Sequence, residues 1–472
     1  MIKFGTDGWR AVISEDFTFE NVEITAQAVA DFIEKSGAPI YKKKKIVIGY
    51  DTRFLSDKYA EIMASVLAAN GINVILSDRA CPTPATCIYI KKNKLTGGLM
   101  ITASHNPPQY NGIKYKGYYA GSAGSEIIDK IEERLYKSKV KTISFDEAVK
   151  SRKIIKEDLI KPQLDCIKKY ADMKKLKSSS LKVLVDSMNG TGGTCFRDIL
   201  KNTSIKLDFM YAEPNPSFNG RAPEPNEKHL KELKTRVKKE KYNLGVATDG
   251  DADRVGIVDE KGNILSGHKV MALLILHLLR NRKMKGGVVQ TICGTTLINK
   301  ICDEYGLKTY ETPVGFKYIC DIMTKKDILV GGEETGGIGF KGYLPERDGL
   351  LSALLIMEMM IIEKKPLSKI VEQMSDKYGN YVYEREDLAF SPSKRKDLVE
   401  GIKKSPLSDV LNKPVVKIVD YDGTKFICED GSWLLLRLSG TEPKLRIYSE
   451  TRSKQESLKY LEFGKKYAFS LM

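Results

Sequence analysis

Lys45-Ile46-Val47-Ile48-Gly49-Tyr50 is a short apolar run that reads as a buried strand. Residues 57–70 then place Tyr59, Met63, Val66 and Leu67 on one side of a helix, and Gly71 closes it. The same succession recurs along the chain. Leu181-Lys182-Val183-Leu184-Val185 and Gly287-Val288-Val289-Gln290 are further strand-like runs, followed by polar or glycine-rich loops and helical patterns. Strands alternating with helices specify α/β units with mostly parallel sheets. Such sheets place ligands beyond the carboxyl ends of their strands.

Three loops with chemical content sit at such ends. Thr102-Ala103-Ser104-His105-Asn106-Pro107 follows Gly98-Leu99-Met100-Ile101, and Pro107-Pro108 forbids immediate continuation into a helix. Ser104 is therefore predicted on a loop positioned by a rigid scaffold. Asp249-Gly250-Asp251-Ala252-Asp253-Arg254 follows Leu244-Gly245-Val246-Ala247. Three alternating carboxylates repel one another unless a cation lies among them, and oxygen-only ligands suit Mg²⁺ or Ca²⁺. Asp249, Asp251, Asp253 and Glu260 fit four EF-hand positions, but Arg254 stands where that loop needs glycine. Val255-Gly256-Ile257-Val258 moreover reads as a strand. Gly331-Gly332-Glu333-Glu334-Thr335-Gly336-Gly337 follows Ile328-Leu329-Val330. Its glycines free the backbone to approach a ligand, and Glu333 and Thr335 offer acceptors for sugar hydroxyls. No Lys-Ser or Lys-Thr ends it, so it is not a nucleotide P-loop. In a fourth segment, residues 437–446, the hydroxyls, flexible backbone N–H groups and flanking Arg and Lys make a phosphate cradle. Each loop alone also reads as a solvated turn.

Taken in this order, the four loops resemble the α-D-phosphohexomutase family, from Phe4-Gly5-Thr6-Asp7-Gly8-Trp9-Arg10 to residue 446. The resemblance implies that Ser104 carries a phosphoryl group and, with Asp249, Asp251 and Asp253, binds Mg²⁺. It implies that Arg10 and Arg254 lie near the phosphoserine and that Lys114 is an acid/base candidate. Glu333 and Thr335 would read the sugar, and Gly315, Lys317 and Arg347 would bind substrate. Arg437, Ser439, Gly440, Thr441 and Arg446 would hold the phosphate that is not reacting. Gly337 stands where some relatives carry a histidine, which puts a histidine acid/base in doubt; Thr335 replaces a usual serine.

The implied reaction interconverts hexose 1-phosphate and hexose 6-phosphate through a hexose 1,6-bisphosphate. Residues 312–317 and 346–350 look most similar to phosphoglucomutase, which favours glucose; mannose or both sugars is the alternative, and glucosamine phosphate the third. From a different class, the same residues could serve a Mg²⁺-dependent phosphatase. The implied architecture is three similar α/β domains, residues 1–160, 161–262 and 263–374, with mixed, mostly parallel sheets. A smaller α+β domain, 375–472, completes a central cleft.

Composition sets bounds. With 472 residues the chain is expected to hold about three domains. Its 42% hydrophobic residues can fill several cores. The net charge of +16 is spread rather than striped, and zinc-finger spacing and RNA-binding aromatic motifs are missing. No nucleic-acid partner is expected; the expected partner is a small sugar phosphate, in a monomer or homodimer. Tyr41-Lys42-Lys43-Lys44-Lys45 reads as a solvated turn. Eight scattered cysteines without a CxxC pair suit a reducing cytoplasm. The apolar stretches 270–279 and 350–362 read as core helices, not membrane spans.

Overall fold

A computed structural model of the chain describes residues 2–439 and 443–471. The first sheet contains β1 (Trp9–Val12), β2 (Lys45–Tyr50), β3 (Asn73–Ser77), β4 (Gly97–Ile101), β5 (Tyr110–Gly117) and β6 (Ile154–Glu157), in the order β1-β5-β4-β2-β3-β6. β2 runs parallel to β3 and β4, while β5 is antiparallel to β4 and β1. Helices α1 (Phe19–Lys35), α2 (Ser56–Ala69) and α3 (Thr83–Asn93) are interleaved with these strands. The Thr18 hydroxyl caps α1 by accepting from the Asn21 N–H at 3.2 Å. Val22, Ala26, Val29 and Ile33 of α1 and Tyr59, Met63, Val66 and Leu67 of α2 share one buried core. Burying each large apolar side chain contributes roughly 1.5–3 kcal/mol.

The second sheet comprises β7 (Lys182–Asp186), β8 (Lys206–Met210), β9 (Leu244–Thr248), β10 (Val255–Asp259) and β11 (Ile264–Leu265), ordered β11-β10-β9-β7-β8. Further on, β12 (Gly287–Thr291) pairs parallel with β13 (Thr309–Thr312), and β14 (Ile328–Gly332) pairs antiparallel with β15 (Ile338–Phe340). The last section is one sheet of β16 (Val382–Ala389), β17 (Asp409–Val410), β18 (Lys413–Val419), β19 (Thr424–Cys428), β20 (Trp433–Leu438) and β21 (Lys444–Thr451), ordered β16-β21-β20-β19-β18-β17. The C-terminal helix Lys454–Ser470 buries Tyr460, Leu461 and Ala468 in the core of this sheet.

The chain divides into two compact units, Met1–Gly286 with Gly315–Ile370, and Gly287–Val314 with Val371–Met472. In the first unit the helices Gly267–Arg280 and Gly349–Glu363 are buried almost throughout. Glu358 is the charge buried in the second helix, and Arg282 answers it through Nε at 2.8 Å. Among the described residues, no helix is long and apolar enough to cross a membrane.

The strand–loop–helix succession holds at β2–α2 and β3–α3 but not at the chemical loops. β4, β9 and β14 each turn directly into an antiparallel return strand, β5, β10 and β15. Only for β10 does the sequence announce this. β5 carries Lys114 and Lys116, which are 1% and 0% exposed. The 374/375 boundary falls inside the helix Leu367–Tyr378.

Candidate active site

Ser104 leaves β4 in the left-handed backbone region, at φ +52°. A side-chain-bearing residue there costs about 1–2 kcal/mol, so its surroundings must hold it. The Ser104 N–H donates to Thr102 Oγ1 at 2.8 Å, and the Thr102 hydroxyl donates to Asp51 Oδ2 at 2.5 Å. Arg53, 3% exposed, donates to the carbonyls of Ser104 at 2.7 Å, Asn106 at 2.6 Å, and Pro107 and Tyr110 at 2.9 Å each. One guanidinium thus ties down the whole serine loop. Sequence reasoning missed Arg53; its signal was the Asp51-Thr52-Arg53 triplet just past the carboxyl end of β2. Arg10 NH1 reaches the same loop at Asn106 Oδ1, 2.6 Å away.

The Ser104 hydroxyl donates to Asp249 Oδ2 at 2.7 Å, joining the β4 loop to the β9 loop. A Cβ on Gly250 would lie 2.6 Å from the Ser104 carbonyl oxygen, so this approach requires glycine. Asp249, Asp251 and Asp253 are all fully buried and bring carboxylate oxygens within 4.8 Å of one another. Burial, then the charges of Asp253 and Asp251, push the Asp249 carboxyl well above the usual range. Burial works against the Asp251 charge, but Lys114, the Thr83 hydroxyl and Arg347 together outweigh it and the net shift is downward. Asp251 Oδ1 and Asp253 Oδ1 are buried without hydrogen-bond partners among the described residues. Crowded carboxylates with orphaned oxygens fit a hard divalent cation. These three residues would hold Mg²⁺. Thr83, at the start of α3, fixes Asp251 by a hydroxyl hydrogen bond and an N–H donated to its carbonyl at 3.0 Å.

A buried charge network surrounds the triad. Lys114 Nζ lies 2.7 Å from Asp251, 3.0 Å from Asp253 and 3.1 Å from Asp7. Burial works against its charge, but these carboxylates prevail and the net shift is upward. Lys116 Nζ bonds Glu346 at 2.7 Å and Asp7 at 3.2 Å. Arg347, expected to face substrate, is 2% exposed and meets Asp253 at 2.9 Å, Glu346 at 3.2 Å and Glu333 at 3.4 Å, besides Asp7. Its guanidinium is therefore an internal tie between the β14 loop and the β9 loop. Asp7 and Glu346, both missed as site residues, are the carboxylates that make two buried lysines tolerable. Arg254 is 8% exposed, its N–H donates to Asp249 Oδ1 at 3.1 Å, and its side-chain Nε has no partner among the described residues.

Glu333 follows β14, and burial pushes its carboxyl up to about 7 despite Arg347. Thr335 Oγ1 is buried without a hydrogen-bond partner among the described residues. A Cβ on Gly337 would meet Arg347 Cδ at 2.4 Å, so Arg347 occupies the space a side chain at 337 would need. Gly315, at φ +132°, opens the helix Phe316–Lys325. Lys317 in its first turn lies over the Tyr318 ring at 5.2 Å and forms no ion pair among the described residues.

The second unit contains a separate basic feature. Arg437 of β20 and Arg446 of β21 stand directly opposite each other in the antiparallel register. Arg437 Nε donates to Asp422 Oδ1 at 2.9 Å, and Arg446 Nε lies 3.6 Å from Asp387 Oδ2. Asp422 also accepts from the Val314 N–H at 2.8 Å. The Ser439 N–H donates to the Lys444 carbonyl at 2.9 Å. Gly440 and Thr441 lie outside the described residues.

The described architecture and loops are matched by models of phosphoglucomutase/phosphomannomutase α/β/α domain I over residues 1–141, domain II over 162–262, domain III over 266–378 and the C-terminal domain over 392–463. A phosphoglucomutase/phosphomannomutase of Thermococcus kodakarensis is 33% identical, covering 98% of this chain and 97% of its own. A phosphoglucosamine/phosphogalactosamine mutase of Sulfurisphaera tokodaii is 31% identical over 95% of each chain. A crystal structure from Thermus thermophilus, assigned as a phosphomannomutase, has a TM-score of 0.85, with 31% identity and 98% coverage of both chains.

Proposed function

The chain belongs to the phosphoglucomutase/phosphomannomutase family, with three α/β domains and a C-terminal domain, and from that premise we propose that it interconverts hexose 1-phosphate and hexose 6-phosphate, with glucose as its best substrate. The observation that carries this reading is the 2.7 Å contact of Ser104 Oγ with Asp249, inside a buried triad of carboxylates. Serine hydroxyl is a weak nucleophile, so the working enzyme is a phosphoserine form.

In the forward half-reaction the Ser104 Oγ–P bond breaks as a P–O bond forms to the free hydroxyl of the bound sugar phosphate, and the proton that hydroxyl loses ends on Ser104 Oγ. The bisphosphorylated sugar turns over, and its other phosphoryl group returns to Ser104. On that return Ser104 loses its hydroxyl proton, and Asp249 Oδ2 is already the acceptor of that hydrogen bond. Mg²⁺ on Asp249, Asp251 and Asp253 supplies positive charge to the transferring group when bound. Lys114, flanked by carboxylates, stays protonated and donates to phosphoryl oxygens; it is poorly suited to take a proton. Arg10 and Arg254 add fixed positive charge beside the serine loop. Arg347 holds Glu333 and Asp253 rather than the substrate.

Glu333 and the orphaned Thr335 hydroxyl are the groups suited to sugar hydroxyls. A carboxyl with its pKa near 7 can both donate and accept, which suits neutral hydroxyls better than an ammonium group. This favours glucose or mannose over glucosamine. The glucosamine reading is supported by the Sulfurisphaera relative. Arg437, Ser439 and Arg446, with Gly440 and Thr441, would hold the non-reacting phosphate in both sugar orientations. The free cysteines fit a reducing cytoplasm.

Incubation with glucose 1-phosphate, Mg²⁺ and catalytic glucose 1,6-bisphosphate tests the reading. The expected product is glucose 6-phosphate; release of inorganic phosphate in its place identifies a phosphatase. Parallel assays on the 1-phosphates of mannose and glucosamine rank the sugars.

A further inference from the structure

Within the first unit, away from the serine loop, lies a cavity of about 700 Å³. Its wall carries Lys43, Lys91, Lys94, Lys326 and Lys341, with Asp327 as the only carboxylate. Asp327 is matched to Lys341 Nζ at 2.5 Å. Lys43 Nζ donates to the Lys94 carbonyl at 3.1 Å and Lys91 Nζ to the Tyr343 carbonyl, neutral acceptors, and neither forms an ion pair among the described residues. The lysine run at 42–45, which reads from sequence as a solvated turn, thus contributes one wall of a concave basic site. Apart from Thr324 and Gly342 the rest of the lining is apolar and aromatic, including Ile40, Met323 and Phe340. Tyr118 is 47% exposed there, its ring edge-on to Tyr119 at 5.3 Å between centroids.

Excess positive charge selects an anion, and a half-exposed aromatic ring on an apolar floor selects a flat organic body. A volume of this size holds a ligand of drug-like dimensions. We propose that this cavity binds a nucleoside di- or triphosphate, with the phosphates on Lys43, Lys91 and Lys94 and the base against Tyr118. The cavity also abuts the reaction centre's supports. Tyr118 and Tyr119 directly follow the strand carrying Lys114 and Lys116, and Leu344 and Pro345 directly precede Glu346 and Arg347. The two walls touch: a Cβ on Gly121 would lie 2.5 Å from the Pro345 carbonyl oxygen. A bound nucleotide therefore bears on the elements that hold the buried Lys116–Glu346 pair.

Isothermal titration of the full chain with ADP tests the site, with adenosine and tripolyphosphate as separate probes. ADP is expected to bind one per chain, at least about tenfold more tightly than either probe, since losing one charge-assisted or stacking contact costs about a factor of ten. Lys43→Gln/Lys91→Gln, which keeps the donors and removes two charges, should weaken ADP at least about tenfold, and Tyr118→Ala should weaken it severalfold. Arg254→Ala, at the serine site, should leave ADP affinity unchanged. No ADP binding, or binding untouched by both cavity variants, overturns the proposal. So does loss of binding in Arg254→Ala, which assigns the nucleotide to the reaction centre. Tripolyphosphate binding as tightly as ADP removes the role given to Tyr118.

Discussion

Around Ser104, Lys114, Lys116 and Arg347 lie buried among Asp7, Asp251, Asp253 and Glu346, and their mutual distances are near 3 Å. In the last sheet, Arg437 and Arg446 face each other across two strands, with Asp422 and Asp387 set beside them. The two regions hold their charges in different ways. The first fixes every charge before substrate arrives, so no reorganisation is needed when charge moves. The second sets two arginines opposite each other on neighbouring strands, each with a carboxylate beside it. The proposed function would use the first arrangement as its reaction centre and the second as its phosphate holder.

The largest expected effect breaks the first region alone. Ser104→Ala should lose at least ~10³-fold in turnover, because no other side chain offers the same covalent relay. Intact mass should show one phosphate on the active wild type, mapped to residue 104, and none on the variant. A variant retaining most activity would sink the mechanism. By contrast Arg437→Ala should raise KM by about ten- to a hundredfold, the worth of a charge-assisted hydrogen bond of roughly 1.5–3 kcal/mol. Its phosphoserine content should be normal. If the arginine variant instead lost its phosphoserine, the division of labour between the regions would be wrong.

The same contrast explains what could be read from sequence. The four loops were legible because each packs reactive residue types into a few consecutive positions, at strand ends where the fold class puts ligands. The fold class itself was carried by apolar runs such as residues 45–50. What escaped was long-range compensation. Asp7 lies more than a hundred residues from Lys114, and Glu346 more than two hundred from Lys116. Local spacing gives no hint that such residues meet, so the carboxylates around Lys114 and Arg347 could not be read from sequence. Arg53 escaped because its role is to bind backbone carbonyls, which leave no side-chain signature. The return strands escaped because buried lysines disguise β5 as polar.

Stability against pH sharpens the comparison at Glu333, which joins the network through Arg347. Burial raises its carboxyl from 4.5 to about 7, so the folded protein holds a proton there that the unfolded chain releases. The resulting stabilisation is fully present below pH ~4.5 and is lost as pH rises towards 7, an effect on the order of 3 kcal/mol. Glu333→Gln lacks this titration. Thermal unfolding between pH 5 and 8 should therefore fall more steeply for wild type than for the variant. Parallel curves would show that Glu333 is ionised throughout.

The smallest effect concerns the sugar. Glucose and mannose differ only in the direction of the C2 hydroxyl. Strong discrimination requires a buried polar partner left unpaired by the wrong sugar. Near the β14 loop the available groups are Glu333, whose carboxyl can donate or accept, and the orphaned Thr335 hydroxyl, which can rotate to do either. Neither imposes one direction on a hydroxyl. Both sugar 1-phosphates should therefore react, with a preference for glucose below about tenfold, or ~1.4 kcal/mol. Glu333→Ala removes a contact common to both sugars, so kcat/KM should fall for each while their ratio stays nearly fixed. The ratio is the informative quantity, since it cancels any general damage to the loop. A variant that loses one sugar and keeps the other would mean that Glu333 reads C2 after all. The sugar loop would then be as fixed in its choice as the serine centre is in its charges.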